Sequence, residues 1–115
     1  MKLPNASRSS VSRRKIVAYL LAHGHPQGRY KAVFFARFGY DHNRWESLAE
    51  ALIRHARDYD VVKSEQTPFG MRYTIEGALD TPDGRRPLVR SVWFIEEGES
   101  TPRLVTAYPV KRIET

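Results

Sequence analysis

Leu88-Val89-Arg90-Ser91-Val92-Trp93-Phe94-Ile95, the turn Glu96-Glu97-Gly98-Glu99-Ser100, then Arg103-Leu104-Val105-Thr106-Ala107-Tyr108-Pro109: two arms rich in β-branched and aromatic residues flank an acidic turn that carries a glycine. This pattern specifies a β-hairpin, because such side chains pack well on a pleated, half-buried surface. Polar residues interrupt the apolar arms at Arg90, Ser91, Thr106 and Tyr108, so chemistry is expected on the same two strands.

Upstream of the hairpin the alternation continues. Met71, Tyr73 and Ile75 point one way, and Arg72, Thr74 and Glu76 the other. Thr81-Pro82-Asp83-Gly84 is a strong turn signal, with proline suited to its second position and glycine to the left-handed one. Val61–Ser64 is a short first strand, expected at an edge. Before Asp60 the period is helical. Trp45, Leu48, Ala49, Leu52 and Ala56 keep a 3–4 spacing behind a cap at Asp41 or Asn43, the latter paired with Glu46 in capping-box spacing. A short helix over Tyr30–Phe38 is expected to bury Tyr30, Val33, Phe34 and Phe38 and to stop at Gly39. A first helix over Val11–Ala22 buries Ile16, Val17, Leu20 and Leu21 and stops at Gly24. Helices first and strands second predict an α+β fold, with N-terminal helices packed on one face of a four-stranded antiparallel meander sheet.

The bulk numbers narrow the function. At 115 residues the chain is long enough for one ordinary core. A polar N-terminal segment, 1–10, docks by one apolar residue, Leu3, and a single α+β domain covers 11–115. No cysteine is present, which removes thiolate ligands, disulfides and a thiol nucleophile. No apolar run approaches the roughly 18 residues a membrane span needs. The polar N-terminus is not a secretory signal, so a cytoplasmic protein without membrane contact is expected. The balance of 19 Lys+Arg against 13 Asp+Glu leaves a net charge of +6, which favours encounter with polyanions, chiefly nucleic acid. Solubility is the plainer reading of the same charge.

Four histidines (His23, His25, His42, His55) include one close pair and no His-Glu-x-x-His pattern, so no metal site is expected. No glycine-rich nucleotide loop occurs, and no cofactor is expected. His25, Arg29 and Lys31 do cluster at the start of a helix, where backbone amides favour an anion. The glutamates of the hairpin tip read as solvated charges. On the hairpin itself, Arg90 shares the parity of Val92 and Phe94, and Thr106 that of Leu104 and Tyr108. An odd loop would bring Arg90 beside Tyr108 and Thr106; an even one would separate them. A fixed guanidinium beside a hydroxyl binds a phosphate and stabilises charge developing on it. Metal-free RNA cleavage further needs groups that take a proton from the 2′-hydroxyl and give one to the 5′-oxygen. The competing reading pairs Arg90 with Glu76 or a carboxylate of the turn and leaves Tyr108 as a cap on the core.

Several segments resemble a known family. His25-Pro26-x-Gly28-x-x-Lys31-Ala32-x-Phe34-Phe35, Thr67-Pro68-Phe69-Gly70-x-x-Tyr73, Pro82-Asp83-Gly84-Arg85, Val89-Arg90-Ser91-Val92-Trp93 and Pro102-Arg103-Leu104-Val105-Thr106-Ala107-Tyr108-Pro109 together are similar to small bacterial proteins catalogued as domain of unknown function 6883. Ser91 departs from the Thr expected there and keeps the hydroxyl. The helices-then-meander order is more distantly similar to the metal-independent ribonuclease toxins of the barnase, EndoU, colicin and RelE type. That resemblance implies His25 as general base or acid, Lys31 as phosphate clamp or proton donor, Arg90 neutralising the scissile phosphate, and Thr106 and Tyr108 orienting it. Arg29, Arg72, Ser91 and Arg103 complete the expected substrate-binding set. The implied function is a metal-independent endoribonuclease toxin, with RNA as substrate and a small acidic antitoxin as partner. The alternatives are a non-catalytic module that binds nucleic acid or protein, and a plain assembly domain pairing through its hairpin edge. The oligomeric state is left open.

Overall fold

The computed structural model describes residues 1–21 and 29–110. The helical part opens with α1, a single α-turn at Arg13–Lys15 that widens into a π-helical stretch at Ile16–Leu20. Ser12 caps it by accepting the Lys15 amide. The widening is carried by a five-residue bond, from the Leu21 amide to the Ile16 carbonyl at 2.8 Å. Ile16, Leu20 and Leu21 are buried as their spacing predicts. The expected stop at Gly24 and the loop from His23 to Gly28 lie outside the described residues.

α2 spans Arg29–Arg37, and its buried face differs from the expected one. Lys31, Ala32 and Phe35 are buried, Phe34 and Phe38 are half-buried, and Val33 is exposed. The helix lies beside the sheet's last strand, so its inward face is the one carrying the small Ala32 and the aromatic Phe35. Gly39, at φ 103°, ends it as expected. Asp41 then caps the next segment by accepting the Asn43 and Arg44 amides, leading through a 3₁₀ turn at His42–Arg44 into α3, Trp45–Asp58. The Asp41 cap therefore replaces the Asn43–Glu46 box. α3 buries Leu48, Ala49, Leu52 and Ala56 as predicted, and also Ala51 and His55.

The strands are β1 (Val61–Thr67), β2 (Gly70–Ala78), β3 (Leu88–Glu96) and β4 (Arg103–Pro109), antiparallel in the order β1-β2-β3-β4. The fold is thus the expected α+β meander, with β1 at an edge. One sheet face supplies Tyr73, Ile75, Leu79, Val89, Trp93, Leu104 and Ala107 to a core shared with Ile16, Leu20, Phe35, Leu48 and Leu52. Leu3 docks into the same core. At Gly77 the Tyr59 ring sits so close that an added Cβ would lie 2.3 Å from it, so only glycine fits there. Beyond β4, Ser10 forms a parallel bridge with Arg103, which covers part of an otherwise open edge.

The hairpin register is the feature on which the functional face turns. Near the tip, Phe94 pairs with Arg103 and Trp93 with Leu104, partners of opposite parity. Continued along the strands, that register would place Arg90 and Tyr108 on opposite faces. It does not continue: Val92 pairs with Thr106 and Arg90 with Tyr108, leaving Val105 as an extra residue. This β-bulge turns Thr106 and Tyr108 onto the side of Arg90 while Leu104 and Ala107 stay in the core. The expected convergence is therefore present, but a bulge in β4 produces it rather than an odd loop.

Candidate functional site

The sheet face turned away from the helices carries an open groove of about 480 Å³. Its floor is Val92, 3% exposed, set between its cross-strand partners Thr74 and Thr106. One pleat further, Arg90 stands between Glu76 of β2 and Tyr108 of β4. The Arg90 guanidinium lies 3.8 Å from the Glu76 carboxylate. The two readings of Arg90 are thus compatible, since Glu76 holds it from one side while it lines the groove with Tyr108 and Thr106.

A cation reaches this face from the helical layer. Lys31 of α2 is 7% exposed, and its Nζ donates to Thr106 Oγ1 at 2.8 Å. The ammonium also lies 5.9 Å from the centre of the Tyr108 ring, within reach of its negative face. A threonine hydroxyl has one proton to give; because Thr106 accepts from Lys31, that proton is free to point toward the groove. A guanidinium, two hydroxyls and a buried ammonium behind one of them make a setting that attracts an anion and can stabilise charge growing on it.

The other sequence candidates are distributed as follows. Arg72 lines the same groove. Arg103 lies further along β4, 3.1 Å from Glu96, with its guanidinium 5.4 Å from the Phe94 ring centre. Arg29 opens α2, and His25 lies outside the described residues. Ser91 is not at the groove: it is wholly buried on the helix-facing side of β3. There its Oγ accepts from Trp93 Nε1 at 2.8 Å and lies 2.9 Å from His55 Nδ1. His55 Nε2 faces two backbone carbonyls, Gly77 and Val89, each at 3.0 Å, so it carries the proton and Ser91 donates to Nδ1. The pair resembles a nucleophile and its base, yet no substrate can reach a serine sealed in the core.

Lys63, Glu65, Thr74 and Glu76 also line the groove. Thr74 and Glu76 were readable from their shared parity with Arg72, and His55 from its place three residues after Leu52 on the apolar face of α3.

Burial holds the His55 imidazole below its ordinary pKa, outweighing the carbonyls of Gly77 and Val89 that raise it. The unfolded chain therefore binds this proton first. His55 costs no stability above about pH 6.5, and stability declines as pH falls through that value toward the lower folded pKa. Urea unfolding midpoints are expected to drop between pH 7.5 and 5.5, and His55→Gln to flatten that drop. An equal drop in the variant would assign the effect to other groups.

Comparison with known proteins agrees with this architecture. A chain from the solved contact-dependent growth inhibition toxin–immunity protein complex of Klebsiella pneumoniae 342 superimposes with a TM-score of 0.69 at 20% identity, covering 87% of this chain and 98% of that one. The two share an α+β fold of helices followed by an antiparallel sheet. The family model described as domain of unknown function (DUF6883) matches residues 2–111, and the chain belongs to that family. No curated protein matches the sequence significantly. No helix among the described residues is long and apolar enough to cross a membrane.

Proposed function

We propose that this chain is the toxin of a toxin–immunity pair and acts as an endoribonuclease on RNA in the cytoplasm. The observation that supports this most is the convergence of Arg90, Thr106 and Tyr108 on one open face, with Lys31 behind Thr106. The net charge of +6 and the fold shared with a chain of a toxin–immunity complex agree with it. The groove takes the ribose–phosphate backbone, with Arg90 on the scissile phosphate and Tyr108 orienting it. His25, six residues before Lys31 in the chain, takes the proton of the 2′-hydroxyl, whose oxygen attacks phosphorus. The bond to the 5′-oxygen breaks, and that oxygen takes the Thr106 hydroxyl proton as the Lys31 ammonium passes one of its own to Thr106. The products are a 2′,3′-cyclic phosphate and a 5′-hydroxyl end. A cognate immunity protein, acidic where it meets the groove, blocks the reaction.

Purified chain incubated with total bacterial RNA in EDTA is expected to yield discrete fragments with 5′-hydroxyl ends, and His25→Ala to abolish them. Intact RNA at all concentrations would overturn the enzymatic reading. RNA binding that weakens steeply with salt but yields no product would favour a binding module instead.

A further inference from the structure

Next to the groove, on the same sheet face, lies a second cleft of about 430 Å³ lined by Thr67, Phe69, Arg72, Phe94, Arg103 and Val105. Arg72 borders both cavities, so they adjoin. The cleft differs from the groove in chemistry. Two aromatic rings and a valine form its surface, and two guanidinium groups stand at its sides.

Phe69 is the unusual member. It is 77% exposed at the tip of the β1–β2 turn, where a solvated residue would serve the turn equally well. Its backbone is held firmly. Thr67 Oγ1 accepts the Phe69 amide at 3.1 Å and donates to the Gly70 carbonyl, while the Phe69 carbonyl accepts the Glu97 amide at 2.9 Å. Gly70 has φ 148°, and a Cβ there would fall 2.2 Å from the Ile95 carbonyl oxygen, so the turn is locked against β3. Opposite it, Phe94 pairs across the sheet with Arg72 and Arg103, and the Arg103 guanidinium lies over its ring at 5.4 Å. Val105, pushed out by the bulge, completes the surface.

We propose that this cleft is a nucleobase subsite, in which a base of single-stranded RNA stacks against Phe69 and Phe94 beside the phosphate held at Arg90. The inference rests on the RNA reading above and adds to it a place where a base next to the bound phosphate is held. An exposed phenylalanine, Phe69, beside the half-buried Phe94 and flanked by arginines suits a flat π-system joined to a polyanion, and each stacked base contributes affinity without a hydrogen-bond code. Phe94 stands four residues along β3 from Arg90, about 13 Å at the usual strand rise. The stacked base therefore belongs to a nucleotide flanking the reaction point.

The test uses 2′-O-methyl RNA pentamers, one for each base, which lack the attacking hydroxyl, and an abasic 2′-O-methyl pentamer of equal length. Fluorescence anisotropy with the full chain is expected to show base-bearing pentamers binding about 10-fold or more tighter than the abasic one. Phe69→Ala, at an exposed position, should remove most of that difference and leave abasic binding unchanged. Equal affinity of wild type for base-bearing and abasic pentamers, or Phe69→Ala binding both as wild type does, overturns the subsite and leaves the cleavage reading standing. Phe69→Ala that weakens only the immunity protein's binding overturns it in favour of a protein contact. Failure to bind any pentamer overturns the subsite together with the RNA reading.

Discussion

Arg90→Ala is expected to lower RNA cleavage by about 10²–10³-fold, the usual cost of removing one preorganised charge-stabilising donor. The side chain is central to the groove but marginal to the fold. Its side chain is 41% exposed and that of its partner Glu76 28%, and the 3.8 Å pair between them is partly screened by water. The unfolding midpoint should therefore move little, and the loss of activity should occur in a folded protein. Arg90→Lys keeps the charge but not the planar fork, and should recover only a small part of the rate. If Arg90→Ala retains more than a tenth of wild-type cleavage, the scissile phosphate is not held at this residue, whatever the enzyme's activity.

Trp93→Ala should cost the most stability, about 3–5 kcal/mol, as expected for deleting a large fully buried aromatic side chain. Trp93 is wholly buried on the core face of β3. Its loss opens a cavity and also removes the donor on which the polar chain through Ser91 and His55 depends. Trp93→Phe keeps most of the packing and removes the indole N–H, so it should cost far less, about 1–2 kcal/mol. Urea titrations of the three proteins separate the contributions. A Trp93→Ala variant destabilised by under about 1.5 kcal/mol would mean that the core closes around the missing ring.

The strands and the third helix were legible because their apolar residues follow a single period over many positions. Leu48, Ala49, Leu52 and Ala56 have one solution on a helix, and Tyr73 and Ile75 one on a strand. α2 was not legible in the same way. Its nine residues hold apolar side chains on more than one face, so tertiary placement beside β4 selects Ala32 and Phe35 over Val33. At the site, residue types announced the chemistry but not its geometry. Arg90, Thr106 and Tyr108 are conspicuous in apolar strands, whereas no local rule marks Val105 as the residue that shifts register. Ser91 misled because a hydroxyl one position from Arg90 reads as part of the same cluster, although strand alternation places it on the opposite face.

The bulge at Val105 also changes how β4 divides its side chains between the two faces of the sheet. In an unbroken hairpin, the number of residues in the tip decides which side chains of the second strand face outward. Here that count is reset at Val105, next to the groove and away from the acidic tip. The one-residue offset lets Leu104 face the core while Thr106 and Tyr108 face the groove, a division that uninterrupted alternation along this sequence would not allow. Deleting Val105 removes the extra residue, so the Trp93–Leu104 register runs without interruption into Val92–Thr106 and Arg90–Tyr108: Ala107 stays inside, Thr106 and Tyr108 stay outside, and only the local twist of the bulge is lost.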